Sequence, residues 1–169
     1  MIARRTVWIA VDPGAKSGVA VKFPGEGMFT FPVNGIPPVG FEHHEFETIL
    51  DRIVTQNQRV VCLIERSHAK IARFSAHRAD AMKWQAFLKN KLARRNTIYF
   101  ADPKTWQAHL GVCPPGSGVT LPYDQYARGY LKVSAAATTD ECAAACLLHY
   151  GRRVYVSQDR PGERWSEEK

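Results

Sequence analysis

The chain has 169 residues, 23 Lys and Arg against 16 Asp and Glu, and a formal net charge of +7. That length allows one domain with a real core and excludes two domains of ordinary size or a large actin-like ATPase. The hydrophobic share of 45% is that of a globular protein, and no apolar run of about 18 residues offers a membrane span.

Met1 to Arg5 leads into a strand pattern, which predicts no signal peptide. Thr6 to Val11 is β-rich, ends at Asp12 and is broken by Pro13-Gly14. Ser17 to Phe23 reads as the returning strand of a hairpin, and Met28 to Val33 as a third strand after Pro24-Gly25. Asn34 to Gly40 reads as a loop. From Phe41 to Gln56 the period turns helical, with Phe46, Ile49, Leu50, Ile53 and Val54 as the apolar set. His43 and His44 on this acidic helix are expected to be solvated.

Arg59 to Ile64 is nearly all apolar, as in a central strand buried on both faces, and ends at Glu65. A helical stretch follows, with Met82, Ala86, Leu88 and Leu92 among Lys and Arg. Trp84, Phe87, Leu88 and Leu92 are expected to face the sheet or a second subunit. Thr97 to Ala101 reads as another buried strand. Asp102-Pro103 then starts a helix, with Asp as cap and Pro in the first turn. Val112 to Pro122 is a Gly/Pro loop, and Tyr123 to Lys132 and Thr139 to Tyr150 are helical, with Gly151 as a stop. The whole is an α/β fold, a mixed sheet flanked by helices.

The cysteines show no paired spacing, which predicts free thiols in a reducing compartment. Cys142, Cys146 and His149 share one helix face. Three ligands crowded onto one helix do not suit zinc, so they are expected to pack as core.

Two acids end strongly apolar strands, Asp12 and Glu65, and a third, Asp140, starts the Ala-rich helix. Singly, each could be a turn residue or a helix-dipole charge. Together they suggest metal ligands, because a carboxylate ending a central strand is desolvated and hard cations prefer oxygen. If the two strands are neighbours, their ends lie about 5 Å apart. Clustered carboxylates can hold two Mg²⁺ ions, an arrangement that activates water in phosphodiester hydrolysis.

Here the sequence resembles the RuvC family of Holliday-junction resolvases, within the RNase H-like nuclease superfamily. The residues that carry the likeness are Val11-Asp12-Pro13-Gly14-Ala15-Lys16-Ser17-Gly18, Val61-Cys62-Leu63-Ile64-Glu65, Asp102-Pro103-Lys104-Thr105-Trp106, and the helix from Asp140 to Gly151. They span most of residues 6 to 151, and the likeness is greatest to compact phage-type members. It implies an RNase H-like mixed five-stranded sheet and a single nuclease domain over 1–156, with a polar tail over 157–169. It also implies a cytoplasmic homodimer, in a bacterial or phage-infected cell, that resolves four-way junctions and other branched DNA by paired nicks. Asp12, Glu65 and Asp140 would be catalytic metal ligands for Mg²⁺, with Mn²⁺ substituting. The products would carry a 5′-phosphate and a 3′-hydroxyl.

One departure concerns the last helix. Aligned by its Leu-Leu-x-Tyr-Gly end, the family's final acid falls at Ala143. Either the helix aligns with Asp140 as the final acid, or Ala143 replaces a catalytic carboxylate, by nature or by engineering. Replacement would leave a junction-binding protein with weak or no cleavage. Glu141 could substitute, but it points about 100° away from Asp140 on a helix.

Between Arg66 and Lys104 lie ten basic residues against Asp80 and Asp102, so this stretch carries more positive charge than the whole chain. It begins beside Glu65, and Lys and Arg contacts to phosphate supply most non-specific DNA affinity. Lys16, Arg66, His68, Lys70, Arg73, Phe74, Arg78 and Lys104 are the expected DNA contacts. The resemblance implies junction opening by an aromatic wedge in this region, where His68 or Phe74 could stack on a base. The stretch from Arg66 to Arg78 lacks apolar periodicity and reads as a loop ordered by DNA. No Gly-x-Gly-x-x-Gly or Walker loop predicts a nucleotide cofactor. An RNase H-like enzyme acting on RNA or a hybrid is a further alternative.

Overall fold

The computed structural model describes residues 6–37, 39–42, 44–67, 72, 75–93, 96–118 and 120–155. Strands β1 (Thr6–Asp12), β2 (Lys16–Lys22) and β3 (Met28–Ile36) form an antiparallel meander. Strands β5 (Arg59–Glu65) and β6 (Asn96–Ala101) then add in parallel on the other side of β1. These five make the expected mixed sheet. A short strand β4 (Val39–Glu42) extends the β3 edge, giving the order β4-β3-β2-β1-β5-β6. Parallel pairs need crossover connections, and the helices supply them.

β4 corrects the expected loop and helix start. Asn34 pairs with Glu42 and Ile36 with Val39, so helix α1 (His44–Thr55) begins after the strand. Phe46, Leu50 and Ile53 of α1 are buried as their spacing required, whereas Val54 is 54% exposed. Helix α2 (Ser75–Leu92) buries Ala81, Trp84, Leu88 and Leu92, and leaves Met82 and Ala86 outside. Its apolar stripe faces the sheet. β6 is not the expected buried strand: among the described residues it pairs with β5 alone, and of its residues only Ala101 is buried.

Side chains alternate across a strand, so each strand feeds two cores. Val7, Ile9 and Val11 join α1 and α2 on one face. Trp8 and Ala10 join the other face, covered by α3 (Pro103–Leu110), α4 (Tyr123–Gly129) and α5 (Thr139–Tyr155). Helix α3 starts as its sequence demanded: Asp102 accepts from the Lys104 N–H at 2.9 Å, Pro103 takes the first turn, and Gly111 closes it in the left-handed region. The expected 112–122 loop carries one small parallel pair, β7 (Val112–Cys113) with β8 (Leu121–Pro122). The four cysteines are buried and free, and Cys142 and Cys146 are core residues of α5. Among the described residues no helix is long and apolar enough to cross a membrane.

Candidate metal centre

β1 and β5 run parallel, with Val11 beside Ile64. One residue further on, Asp12 and Glu65 therefore leave the sheet side by side. By strand alternation Asp12 continues the Trp8–Ala10 face and Glu65 the Val61–Leu63 face, the side on which α5 packs. Asp140 enters from the first turn of α5. Its approach is set by Gly18, which pairs with Asp12 across β1 and β2. A Cβ at Gly18 would lie 2.0 Å from the Asp140 carbonyl oxygen, so only glycine lets the helix come this close. Asp12 makes hydrogen-bonding contact with both Glu65 and Asp140. Asp12 thus lies between the other two acids that the sequence singled out, while among the described residues the group whose ligand atoms all lie within 4.8 Å of one another is Asp12, Glu65 and His77, without Asp140.

The electrostatics follow from that crowding. Burial, then the charges of Glu65 and Asp140, hold the Asp12 carboxyl well above the usual carboxylate range. Burial pushes Glu65 up to about 7, against the pull of hydrogen bonds from Trp106 and Asp12. Asp140 is raised as well, by burial first, while Asp12 and nearby Lys16 oppose the shift. Among the described residues neither Asp12 nor Glu65 has a Lys or Arg partner. Buried Asp12 and Glu65, crowded together with no Lys or Arg partner among the described residues, suit a divalent cation.

Three residues at the centre were not among the expected site residues, although Trp106 stands in one of the quoted motifs. Trp106, fully buried on α3, donates its indole N–H to Glu65 Oε2 at 2.8 Å. Tyr123, at the start of α4, lies 5.7 Å from Trp106 by ring centroids. Burial, and then the three carboxylates, keep its phenol protonated. His77, on the first turn of α2, places Nε2 3.6 Å from Glu65 Oε1. One ligand atom from each of Asp12, Glu65 and His77 lies within 4.8 Å of the other two.

Glu141 is not a replacement acid. It is buried and accepts from the Thr138 N–H at 2.7 Å and the Thr30 hydroxyl at 3.1 Å, while its own N–H donates to Thr138 Oγ1. That is a capping box at the start of α5. Ala143, one turn beyond Asp140, is 2% exposed within the α5 core.

No protein-family model matches the chain, and no curated protein matches it in sequence. Among solved structures, its fold matches T. thermophilus RuvC in complex with a Holliday junction substrate, with a TM-score of 0.57 and 12% identity. That match covers 90% of this chain and 96% of that chain. A second Thermus thermophilus RuvC structure matches with a TM-score of 0.49 and 15% identity, over 90% and 96% of the two chains. The chain has the RuvC-like, RNase H-like fold.

Within this RuvC-like fold, four of the eight expected DNA contacts lie among the described residues. Lys16 is exposed at the start of β2, beside Asp140. Lys104 is exposed on the first turn of α3. The Arg66 guanidinium stacks over Phe100 at 4.3 Å, and its backbone N–H donates to the Ala101 carbonyl. Arg78 lies on α2, so the expected loop ends by Ser75. His68, Lys70, Arg73 and Phe74 lie outside the described residues, as does the 157–169 tail.

Proposed function

We propose that the chain is a divalent-metal-dependent endonuclease acting on branched DNA, with Asp12, Glu65 and Asp140 as its catalytic metal ligands. The convergence of these acids at the ends of β1 and β5, in a fold shared with a junction-bound RuvC, carries the reading. A cation held there would supply the Lewis acidity that phosphodiester hydrolysis requires. Trp106 holds the Glu65 carboxylate in place, and the Gly18 contact holds Asp140. Lys16 and Lys104 would meet phosphates beside the acids, and the exposed Lys83, Lys89 and Lys91 of α2 extend the basic surface. On the strength of the four ordered sequence motifs we read the chain as a compact phage-type resolvase working as a homodimer, with Mg²⁺ or Mn²⁺.

The test is nicking of a labelled four-way junction in Mg²⁺ or Mn²⁺, with an RNA–DNA hybrid as competitor. Paired nicks that vanish in Asp12→Asn support the reading. Failure to bind a junction at low salt, or preferential cleavage of the hybrid, overturns it.

A second reading rests on Ala143. Its methyl group, one turn from Asp140, is where the resemblance expects a carboxylate. A junction-binding protein without cleavage would bind the junction, leave it intact, and gain nicking activity in Ala143→Asp.

A further inference from the structure

The apolar stripe of α2 runs Leu92, Leu88, Trp84 and Ala81, all buried against the sheet. One more step along the same face is residue 77, and there the stripe becomes histidine. The axial position of the helix is fixed by Trp84, which is fully buried and donates its indole N–H to Ser17 Oγ at 3.2 Å. Ser17 in turn bonds Gly14 in the turn that follows Asp12. This places the first turn of α2 beyond the strand ends, and the ring of His77 beside Glu65.

The spacing suits a shared cation better than a direct bond. At 3.6 Å, His77 Nε2 and Glu65 Oε1 are too far apart for a good hydrogen bond. Two donor atoms on one metal, each about 2.1 Å from it, stand about 3 Å apart when adjacent and about 4.2 Å apart when opposite. The 3.6 Å between His77 Nε2 and Glu65 Oε1 falls within that range, and the ligand atoms of Asp12, Glu65 and His77 all lie within 4.8 Å of one another. The other ring nitrogen, Nδ1, is buried and has no hydrogen-bond partner among the described residues. The ring's Nε2 is thus the nitrogen turned toward the acids.

We propose that His77 Nε2 is a ligand of the cation held by Asp12 and Glu65, supplied from the helix layer opposite α5, and that it biases the centre toward Mn²⁺ over Mg²⁺. The inference rests on the metal-centre reading above. Imidazole nitrogen is a softer donor than carboxylate oxygen and favours first-row transition ions over Mg²⁺. It also supplies a neutral donor where three acids already repel one another, and it makes up in donor number for the alanine at 143.

The experiment is Mn²⁺ binding to the full chain, read by calorimetry and by pulsed electron paramagnetic resonance. Bound Mn²⁺ should show modulation from a histidine nitrogen, which shifts on ¹⁵N-histidine labelling. His77→Gln should abolish the modulation and weaken Mn²⁺ at least about 10-fold, with a smaller loss for Mg²⁺. The labelled wild-type protein decides the ligand type even if the variant folds poorly, and His77→Asn serves as a second variant. Mn²⁺ that binds, is lost in Asp12→Asn, and shows no histidine nitrogen overturns the His77 assignment and leaves the metal centre standing. The same holds if the nitrogen signal survives both His77 variants. Wild-type protein that binds no Mn²⁺ overturns both.

Discussion

The carbonyl oxygen of Asp140 sits where a Cβ on Gly18 would have to be, 2.0 Å from that ideal position. The contact joins the start of α5 to β2, directly opposite Asp12. Gly18→Ala must therefore push the helix, because the clash is with backbone. We expect a stability loss of about 3 kcal/mol or more, with loss of metal binding and nicking. Gly151→Ala makes a useful contrast. Its Cβ would meet the Leu63 side chain, 2.4 Å away. Trimming Leu63 to Val should recover part of the stability lost in Gly151→Ala, and no comparable trimming should rescue Gly18→Ala. Urea denaturation of the two series checks this.

The stability of the metal-free protein should fall as pH rises. Glu65 titrates near 4.5 when unfolded and at about 7 when folded, and Asp12 is shifted the same way. Between those values the folded chain holds protons that the unfolded chain has released. The slope of unfolding free energy with pH is then negative. The protonated acids contribute fully below pH 4.5, and their contribution is lost as pH passes about 7. Asp12→Asn and Glu65→Gln should each flatten the slope, and saturating Mn²⁺ should reduce it by taking the place of the protons. Melting curves from pH 5 to 8 (roughly the window of the shift) measure it.

Trp106→Phe keeps the buried ring and removes one donor, the indole N–H on Glu65 Oε2. The lost hydrogen bond should cost about 1–2 kcal/mol of stability. The larger signature is electrostatic. That bond pulls the Glu65 carboxyl down, so its removal should move the acidic limb of the nicking pH profile upward. A variant that lost stability with an unmoved profile would mean that Trp106 only fills space.

Glu141 and Asp140 are neighbours with different work. Glu141→Gln keeps the reciprocal cap with Thr138 and should leave metal affinity within about 2-fold. Thr138→Ala should cost about 1 kcal/mol. Asp140→Asn should weaken metal binding and nicking while leaving the cap intact. Calorimetric titration of the three variants separates ligand from cap.

Ala143→Asp tests the alternative for α5. Residue 143 is almost fully buried, so a new carboxylate there should lower the melting temperature of the metal-free protein, by a few kcal/mol of stability. If the side chain reaches the centre, Mn²⁺ should restore most of that loss and stabilise the variant more than the wild type. A loss that Mn²⁺ leaves untouched would place residue 143 off the site.

Much of this protein is written locally. The apolar runs before Asp12 and Glu65 mark central strands, because only a strand buried on both faces tolerates so little alternation. Two acids at such ends are desolvated wherever the strands lie, so their chemistry is legible in sequence. The cap of α3 and the buried set of α1 follow from spacing alone. Other features depend on partners distant in the chain. β4 exists because Asn34 and Ile36 find Glu42 and Val39, and β6 is only half-buried because, among the described residues, no strand pairs with its far side. Glu141 looks like a spare ligand until Thr30 and Thr138 claim it. His77 and Trp106 meet Glu65 from two helices on opposite faces of the sheet, and no periodicity within either helix reports that meeting. Hydrophobic patterning encodes which side chains are buried. The register of β1 on β5, the position of α2 set by Trp84 on Ser17, and the close approach of α5 at Gly18 are products of packing, and they decide which buried groups touch.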